Sequence, residues 1–431
     1  MLDIKFIREN PDLVKDNIKK KFQDGKLILV DELLSDDQEY RQLLAESQDL
    51  RSKRNSLSQS INKTKKEGGD IKPILEEVKE IPNKIKVIEE KLKVLKESII
   101  EKQMKIPAML HESVPIGKDD SENVPGETIG VIEQKDFEIK NHAELVENLG
   151  VADFESSRNT SGNGFYYLKG DLALLEEALR QYAMRFMESK KYTYVVPPNM
   201  IRSDVVTGVM SFEEMDAMMY KMEGEDLYSI GTSEHSIIGM FKDRVLKKDV
   251  LPIKIYGNTT CYRKEVGSHG LDEKGLFRVH QFNKVEQIIL CEPEDSYNLY
   301  EELLDNTIQM FKGLGIPIRT LECCSGDLAD LKSKSADVEA WSPRRNDWIE
   351  VASCSNLTDA QARRLNIKVD GGPGNRYFPH TLNDTAIATS RALVALLENN
   401  QKEDGSIVIP EVLREYLGGR ETIKPLKEWF W

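Results

Sequence analysis

The chain has 431 residues, of which 39% are apolar, and its 60 basic and 74 acidic side chains give a formal net charge of −14. A chain of this length can bury two or more domain cores, and its acidity excludes a protein whose whole surface binds nucleic acid. The absence of any uncharged apolar run of about 18 residues and of an apolar signal segment predicts a cytoplasmic protein.

The first predicted structure is a long helical hairpin in a locally basic segment. Residues 41–106 contain 16 basic and 11 acidic side chains, a balance of +5 within an otherwise acidic chain. Two heptad seams flank the Gly pair at 68–69, which indicates two antiparallel helices of roughly 25 to 30 residues, about 40 Å long. Pro82 lies within the second seam and predicts a kink or a later helix start. The seam residues are Leu43, Leu50, Leu57 and Ile61, then Ile74, Val78, Ile81, Ile85, Ile88, Leu92, Leu95 and Ile99.

Heptads alone favour a dimerising coiled coil, whereas the basic charge favours contact with phosphates. The candidate phosphate contacts near the outer end of the hairpin are Arg51, Lys53, Arg54, Lys63, Lys65 and Lys66. Both interpretations are compatible with the sequence pattern.

A second domain is predicted after residues 107–135, which are rich in Pro, Gly and acids and are expected to form a linker. An amphipathic helix over 171–190 precedes a short strand, and hairpin strands then outnumber parallel crossovers. The last predicted helix spans 384 to about 400, with Asn383 as its N-cap. The fold class is therefore α+β, a two-helix coiled-coil arm followed by an antiparallel sheet flanked by helices.

Charged residues occupy strands of this second domain where apolar residues are expected. Arg263 and Glu265 share one face of a predicted strand, and Arg278, His280, Phe282, Lys284 and Glu286 form one row on the returning strand. Arg391 is expected two turns into the last helix, away from its apolar face. A solvent-exposed sheet face with surface ion pairs would also explain a lone Arg/Glu pair, but not the convergence of several polar groups on one sheet.

These motifs resemble motifs 2 and 3 of the class II aminoacyl-tRNA synthetases, and the helix with its short strand resembles motif 1. With the two-helix arm and the triplet Thr-Ser-Glu at 232–234, the chain resembles the seryl-tRNA synthetase family from end to end. The resemblance implies a tRNA-binding domain over 1–106 with its hairpin from about 40, and a catalytic domain over 136–431. Motifs 1, 2 and 3 are then expected at about 171–198, 253–290 and 374–400.

The family chemistry implies ATP-dependent attachment of L-serine to serine tRNA, and to selenocysteine tRNA where it exists, through a seryl-adenylate. Arg263 would bridge the serine carboxylate and the α-phosphate, because a planar guanidinium can serve two oxygens at once. The Glu265 carboxylate would accept a hydrogen bond from the adenine amino group, and Phe282 would stack on the adenine ring. Arg263 and Arg391 would be the catalytic arginines, with Arg391 near the γ-phosphate. The other residues that the resemblance places at ATP are Lys264, Arg278, Glu350, Val351, Ala352 and Ser353.

The resemblance also implies a serine pocket, a metal ion and a homodimer. The serine-binding residues would be Thr232, Ser233, Glu234, Arg263, Glu286 and Thr385. Glu350 and Ser353 would bind Mg²⁺ through oxygen. Zinc is not expected, since the sequence near the pocket offers no Cys/His/Glu ligand set.

Two other functions remain open from the sequence. A stand-alone paralogue could load an amino acid onto a carrier protein, but such paralogues generally lack the helical arm. A catalytically inactive interaction protein would have no reason to retain Arg263, Glu265, Glu286 and Arg391.

Overall fold

Two structural units divide the chain, residues 1–107 and 108–431. The computed structural model describes residues 1–265 and 275–426. The loop of the predicted motif 2 hairpin and the aromatic C-terminal tail include residues outside this described part. Within the described part, no helix is long and apolar enough to cross a membrane.

The first unit consists of four helices, of which the last two form the predicted arm. Their bounds are α1 Ile4–Glu9, α2 Pro11–Lys20, α3 Leu27–Lys66 and α4 Lys72–Lys105. The arm helices have 40 and 34 residues, so the predicted lengths were too short. The prediction missed the extra turns because it began α3 at the heptad pattern, whereas the apolar residues before it, such as Val30 and Leu33, are also buried.

The heptad seam of the arm is most deeply buried in the middle of α4, and its other residues are half-buried. Ile81, Ile85 and Ile88 are at most 6% exposed. Pro82 lies within α4, which starts ten residues earlier, so the predicted late start is wrong. At the base of the hairpin, Lys102 lies 2.6 Å from Asp36, which links α4 to α3.

The second unit places short and long helices around one large sheet. The helices are α5 His142–Asn148, α6 Phe154–Ser161, α7 Gly170–Ser189, α8 Ser203–Val209, α9 Phe212–Met218, α10 Ser233–Gly239, α11 Ser296–Gly313, α12 Ala360–Arg364, α13 Thr389–Asn400 and α14 Glu411–Arg414. In α7, residues three or four apart, including Leu172, Leu175 and Leu179, are fully buried, which gives the helix its core-facing side.

The strands of the second unit range from two to eleven residues. They are β1 Val124–Pro125, β2 Ala152–Asp153, β3 Tyr167–Leu168, β4 Thr193–Val195, β5 Met200–Ile201, β6 Tyr228–Ser229, β7 Val245–Lys247, β8 Ile253–Tyr262, β9 Gln281–Cys291, β10 Ile318–Glu322, β11 Lys334–Ser342, β12 Asp347–Asn356, β13 Lys368–Asp370, β14 Arg376–Tyr377, β15 His380–Ala388, β16 Ile407–Val408 and β17 Thr422–Ile423.

The large sheet has the strand order β1-β10-β11-β12-β15-β9-β8-β4. Its strand pairs are antiparallel except for β4 with β8, which confirms the predicted antiparallel α+β architecture. Helix α10 packs on β8 and β9, and α11 packs on β12 and β15. Residues of β9 and β15 are buried on both faces.

The last long helix starts later than the sequence predicts. Residues 380–388 form β15, and α13 begins at Thr389. Asn383 is therefore a strand residue rather than an N-cap, Thr385 lies in the strand, and Arg391 is the third residue of the helix. The prediction failed because a strand buried on both faces loses the alternating pattern that identifies strands.

Residues 107–135, predicted to be a linker, contribute backbone hydrogen bonds to the second unit. β1 pairs with β10 at the edge of the large sheet, and the Ile129 N–H donates to the Ile318 carbonyl at 2.7 Å. The Ala108 N–H donates to the Asp330 carbonyl at 2.7 Å. The segment thus satisfies backbone groups of an otherwise open sheet edge.

Candidate active site

A cleft of about 270 Å³ brings together most of the residues that the sequence predicts for ATP and serine. Alternate side chains of β9 share one face, so Phe282, Lys284 and Glu286 line the same wall. The predicted site residues in the cleft walls are Thr232, Glu234, Arg263, Glu265, Arg278, Phe282, Glu286, Glu350, Val351, Ala352, Ser353, Thr385 and Arg391.

Arg263 directly follows β8 and reaches the cleft from one side. Its Nε donates to the Gly231 carbonyl at 3.3 Å, and its guanidinium carbon lies 5.4 Å from the centre of the Phe282 ring. Arg263 itself is part of the cleft wall. A planar fork of this kind is suited to two anionic oxygens at once.

His280 makes a hydrogen bond with both the backbone N–H and the backbone carbonyl of Arg263. The Arg263 N–H donates to the His280 carbonyl at 3.0 Å, and His280 Nδ1 lies 2.9 Å from the Arg263 carbonyl. Because a carbonyl only accepts, this contact fixes the proton on Nδ1. Gly164 packs against the ring so closely that a Cβ there would lie 2.5 Å from His280 Cδ2. His280 therefore supports Arg263 from behind.

Glu265 also departs from its predicted strand geometry. β8 ends at Tyr262, and Glu265 has a φ of 48°, in the left-handed region. Its carboxylate lies 3.8 Å from the Arg278 guanidinium. Arg263 and Glu265 therefore lie after the end of the strand and not on one strand face as predicted, although both line the cleft.

Arg391 reaches the cleft from α13 and pairs with Glu350 of β12. Its Nη1 lies 2.9 Å from Glu350 Oε2 and donates to the Glu350 carbonyl at 3.1 Å. Its guanidinium also lies 5.1 Å from the centre of the Phe277 ring. Burial raises the pKa of Glu350, but the charge and hydrogen bond of Arg391 outweigh that effect and lower it, so this carboxyl is ionised at neutral pH.

An oxygen-rich corner surrounds Glu350. Asp337 lies opposite Ser353 in the β11–β12 ladder, and the Ser353 side chain is hydrogen-bonded to its carboxylate. Burial, and then the negative charge of Glu350, raise the pKa of Asp337. Two repelling carboxylates and a hydroxyl form a donor set that suits a hard divalent cation such as Mg²⁺, which would relieve the repulsion. No group of three or more His, Cys, Asp or Glu side chains suited to a metal occurs in residues 1–265 and 275–426.

Another part of the cleft wall is a buried polar pocket. Glu286 Oε2 lies 2.6 Å from the Lys284 ammonium, with both side chains at most 6% exposed. Thr385, directly across the β9–β15 ladder, donates its hydroxyl to the same carboxylate oxygen at 3.3 Å. A buried carboxylate held by a lysine and a hydroxyl is a preorganised partner for a small ligand with an ammonium and a hydroxyl group.

Glu234 adds a second buried carboxyl to this pocket from the first turn of α10. It accepts from Gln361 Nε2 at 2.7 Å, and Gln361 is in turn held by the Thr381 hydroxyl. Burial, and then the negative charge of Glu286, raise the pKa of Glu234 to about 7. The group therefore titrates near neutral pH, which is unusual for a carboxyl.

The raised pKa of Glu234 predicts a stability effect of known sign. Between about pH 4.5 and 7 the folded protein binds more protons at Glu234 than the unfolded chain does, so this group's contribution to stability falls as pH rises through 7. The variant Glu234→Gln keeps the acceptor for Gln361 without a charge. The free energy of unfolding of the variant minus that of the wild type should therefore be larger at pH 8 than at pH 5, by on the order of 3 kcal/mol.

This change is measured as the free energy of unfolding in urea at both pH values, followed by tryptophan fluorescence. All four tryptophans lie in residues 108–431, so the signal reports on the second unit. A stability difference between the variant and the wild type that stays the same at both pH values would contradict the assignment.

Two predicted site residues lie outside the cleft walls. Lys264 donates from Nζ to the Asp216 carbonyl at 3.1 Å and packs beside α9. Ser233 is fully buried, and a Cβ on Gly257 would lie 2.7 Å from its hydroxyl oxygen, so it lies behind the wall rather than in it. The structure therefore does not bring these two side chains to the cleft.

The six basic residues predicted on the arm are all exposed. Arg51 lies 2.6 Å from Glu89, and Lys53 lies 2.5 Å from Glu77, so these two residues pair across the hairpin. Such exposed ion pairs contribute little to stability. Arg54, Lys63, Lys65 and Lys66 have no ion pair with the described residues and offer the stronger positive surface.

Several cleft residues were not assigned a role from the sequence. They are Glu214, Phe277, Lys284, Lys332 and Asn383. Lys284 could have been recognised, because it lies between Phe282 and Glu286 in the same charged row. No motif or pattern in the sequence marks Lys332. Burial lowers the pKa of this lysine, but the negative charge of Asp337 and of other acidic groups raises it by more, so Lys332 remains a cation in the cleft.

Two family models match the chain. The seryl-tRNA synthetase N-terminal domain matches residues 1–110, and the class II core domain of the synthetases for G, H, P, S and T matches residues 218–400. Among curated relatives, the serine–tRNA ligase of Methanospirillum hungatei is 45% identical over 98% of this chain and 100% of its own length. That of Pyrococcus abyssi is 43% identical over 98% of each chain.

Solved structures give the same likeness. Seryl-tRNA synthetase from Pyrococcus horikoshii, complexed with ATP, superimposes with a TM-score of 0.95 at 41% identity and covers 99% of this chain and 100% of its own. The cytoplasmic serine–tRNA ligase from Naegleria fowleri, in complex with AMP, gives a TM-score of 0.88 at 32% identity over 99% of both chains.

Proposed function

Because the chain belongs to the seryl-tRNA synthetase family of class II aminoacyl-tRNA synthetases, we propose that its cleft activates L-serine with ATP and transfers the seryl group to serine tRNA. The enzyme is a ligase. The observation that carries the proposal is one cleft that contains the guanidinium groups of Arg263, Arg278 and Arg391 together with the buried Glu286–Thr385 pocket. The carrier-protein alternative is not supported, since the N-terminal domain model and the full-length relatives both include the arm.

The nucleotide half of the cleft would be served by arginines and aromatic rings. Arg263 would bridge the serine carboxylate and the α-phosphate, and so hold the two anions in line while it stabilises the charge that develops. Phe282 would stack on the adenine ring, and the Glu265 carboxylate would accept a hydrogen bond from the adenine amino group. Arg278 and Arg391 would bind the outer phosphates, which requires Arg391 to exchange at least part of its contact with Glu350 for phosphate oxygens.

Glu350 and Ser353, with Asp337 beside them, would hold Mg²⁺ at the phosphates. When bound, the ion neutralises phosphate charge that the arginines leave uncompensated. The residues themselves orient the corner: Arg391 keeps Glu350 ionised, and Ser353 fixes the Asp337 carboxylate.

The serine half of the cleft would recognise a hydroxyl and an ammonium. Glu286 would accept from both groups, while Thr385, Thr232 and Glu234 complete the polar wall. Such a pocket rejects alanine, because its own buried polar groups would be left unpaired. Threonine would be excluded by its additional methyl group, as the pocket is closed by buried side chains on β9 and β15.

The first unit would bind the tRNA. Arg54, Lys63, Lys65 and Lys66 on α3 give a positive, solvated surface for the phosphates of serine tRNA, and of selenocysteine tRNA where it exists. RNA helices are recognised mostly by shape and backbone, which suits a long arm without base-specific groups. The hairpin ion pairs of Arg51 and Lys53 would mainly hold the two helices together.

A homodimer is also proposed, on the basis of apolar residues left exposed at one edge of the large sheet. β4 is the edge strand, and Tyr194, Val196 and Met200 are 39%, 75% and 45% exposed within seven residues of chain. Exposed apolar groups of this kind mark interaction surfaces. A second copy of the chain would cover them.

The substitution Val196→Glu tests this surface. A carboxylate in the contact would lose its water without a partner, so we expect dimer affinity to fall by about a hundredfold or more in analytical ultracentrifugation. Val131→Glu is the matched control, because Val131 is 79% exposed elsewhere in the same unit. Unchanged dimerisation in Val196→Glu would place the interface at another surface.

The proposed reaction is tested by exchange of pyrophosphate into ATP with each of the twenty amino acids, followed by charging of total tRNA. Serine alone should support fast exchange, and the charged tRNA should be serine tRNA. Exchange with a different amino acid, or serine-dependent exchange without tRNA charging, would refute the proposal.

A further inference from the structure

A buried histidine outside the cleft is connected to the nucleotide half by hydrogen bonds. His142 is the first residue of α5, and its Nδ1 lies 3.3 Å from Glu398 Oε1 of α13. Both side chains are only 1% exposed. None of the roles described above uses either residue. A polar pair buried this deeply has a cost, which its other hydrogen bonds must offset.

The hydrogen bonds of His142 define which of its ring nitrogens carries the proton. The Leu276 backbone N–H donates to His142 Nε2 at 3.2 Å, so Nε2 must be the unprotonated nitrogen. Nδ1 therefore carries the proton and donates to Glu398. Glu398 also accepts from the Ser342 hydroxyl at 2.5 Å and from Arg344 Nε at 3.2 Å. The histidine thus links a fixed carboxylate to one backbone N–H group.

The approach of the imidazole to Leu276 requires a glycine at position 275. Gly275 has a φ of 121°, in the region that favours glycine, and a Cβ there would lie 2.4 Å from His142 Nε2. Leu276 itself is fully buried. The chain is therefore shaped to receive the histidine at the point where it returns towards β9.

The residue after Leu276 reaches the cleft. The Phe277 ring has the Arg391 guanidinium at 5.1 Å and the Arg345 guanidinium at 4.4 Å from its centre. The Arg345 backbone N–H donates to the Ser342 hydroxyl, which itself donates to Glu398. Glu398 thus supports Phe277 by two routes, through His142 and Leu276 on one side and through Ser342 and Arg345 on the other.

We propose that His142 is a positioning residue for ATP: it fixes the Leu276 backbone, and thereby places Phe277 and Arg391 for the outer phosphates. The inference rests on the proposed function for the identity of the nucleotide. It assigns no contact between His142 and a substrate. Loss of the histidine should therefore weaken ATP binding while the serine pocket, whose residues take no part in these contacts, is unaffected.

The test compares His142→Leu, which removes both hydrogen bonds, with His142→Gln, whose amide can supply one donor and one acceptor. We expect His142→Leu to raise the Kd for ATP in calorimetry, and the KM for ATP in pyrophosphate exchange, by about tenfold. The KM for serine should change by less than about twofold. His142→Gln should recover part of the ATP affinity.

The matched control is His380→Leu, which removes a half-buried imidazole whose Nδ1 contacts the Ser296 hydroxyl at 2.9 Å, away from the cleft. It should leave the Kd for ATP unchanged. A thermodynamic cycle with Phe277→Ala then tests the route: His142→Leu should add little to the loss already caused by Phe277→Ala.

Three results would overturn the inference. These are an unchanged Kd for ATP in His142→Leu, an equal rise in the KM of both substrates, or full additivity with Phe277→Ala. If His142→Leu fails to fold, Phe277→Ala decides, since His142 is proposed to act through Phe277 and a wild-type Kd for ATP in that variant would exclude the role. Failure of serine to support exchange in the wild type would refute the proposed function instead, while the Kd for ATP would still test His142.

Discussion

Replacing Arg263 with alanine is expected to lower serine-dependent exchange of pyrophosphate into ATP by about a hundredfold to a thousandfold. The loss follows from the position of the guanidinium between the two halves of the cleft, where it would hold the carboxylate of serine and the α-phosphate together. Arg263→Lys should be intermediate at best, because an ammonium keeps the charge but cannot serve two oxygens in a fixed plane.

The fold should survive Arg263→Ala, since the side chain's contacts with the described residues are a hydrogen bond to Gly231 at 3.3 Å and a cation–π contact with Phe282. Arg319→Ala provides a matched control: Arg319 pairs with Glu339 at 2.7 Å and lies 4.8 Å from the centre of the Trp348 ring, elsewhere on the same sheet. The control should keep wild-type exchange. Undiminished exchange in Arg263→Ala, measured by transfer of labelled pyrophosphate, would remove Arg263 from the reaction.

Shortening the arm is expected to separate the two reactions of the enzyme. Replacing residues 52–88 with a short Gly/Ser turn leaves the Arg51–Glu89 pair to close the hairpin and removes Arg54, Lys63, Lys65 and Lys66. Pyrophosphate exchange should remain within about twofold of the wild type, while kcat/KM for tRNA charging should fall by about a hundredfold or more. Charging that survived the deletion would make the arm a dimerisation or stability element.

A finer variant separates phosphate contact from the mere presence of the arm. Lys63→Ala, Lys65→Ala and Lys66→Ala together should weaken charging and reduce its dependence on salt. Lys84→Ala, Lys86→Ala and Lys91→Ala form a control of equal charge on the other helix of the same arm. Equal losses in both triple variants would indicate a general charge effect rather than a contact surface near the tip of α3.

The regular features of the fold could be predicted from local sequence patterns. The sequence of the arm contains a heptad repeat with a Gly pair at the turn, and the sequence of α7 has an amphipathic pattern. Both elements could therefore be located from the sequence. The local pattern of β15 resembles the start of a helix because its residues are buried on both faces, and Asn383 near its centre suits a helix N-cap. Position in the middle of a sheet is a tertiary property that local patterns do not carry.

The cleft shows the same division between local and long-range information. Arg263, Phe282 and Glu286 could be located because they lie on, or directly after, the strands of a recognisable motif. Lys332 comes from a segment without a motif, and the support that His142 gives to Leu276 joins residues 134 positions apart. Such pairings depend on the packing of α5 against the rest of the unit and become visible only in three dimensions.

The most direct measurement is a crystal structure of the enzyme with a non-hydrolysable analogue of seryl-adenylate. We expect the seryl hydroxyl and ammonium at Glu286 and Thr385, the adenine on Phe282, and the Arg263 guanidinium at the linkage that replaces the acyl phosphate. An analogue bound away from this cleft, or one with its adenine in the Glu286 pocket, would contradict the assignment of the two halves.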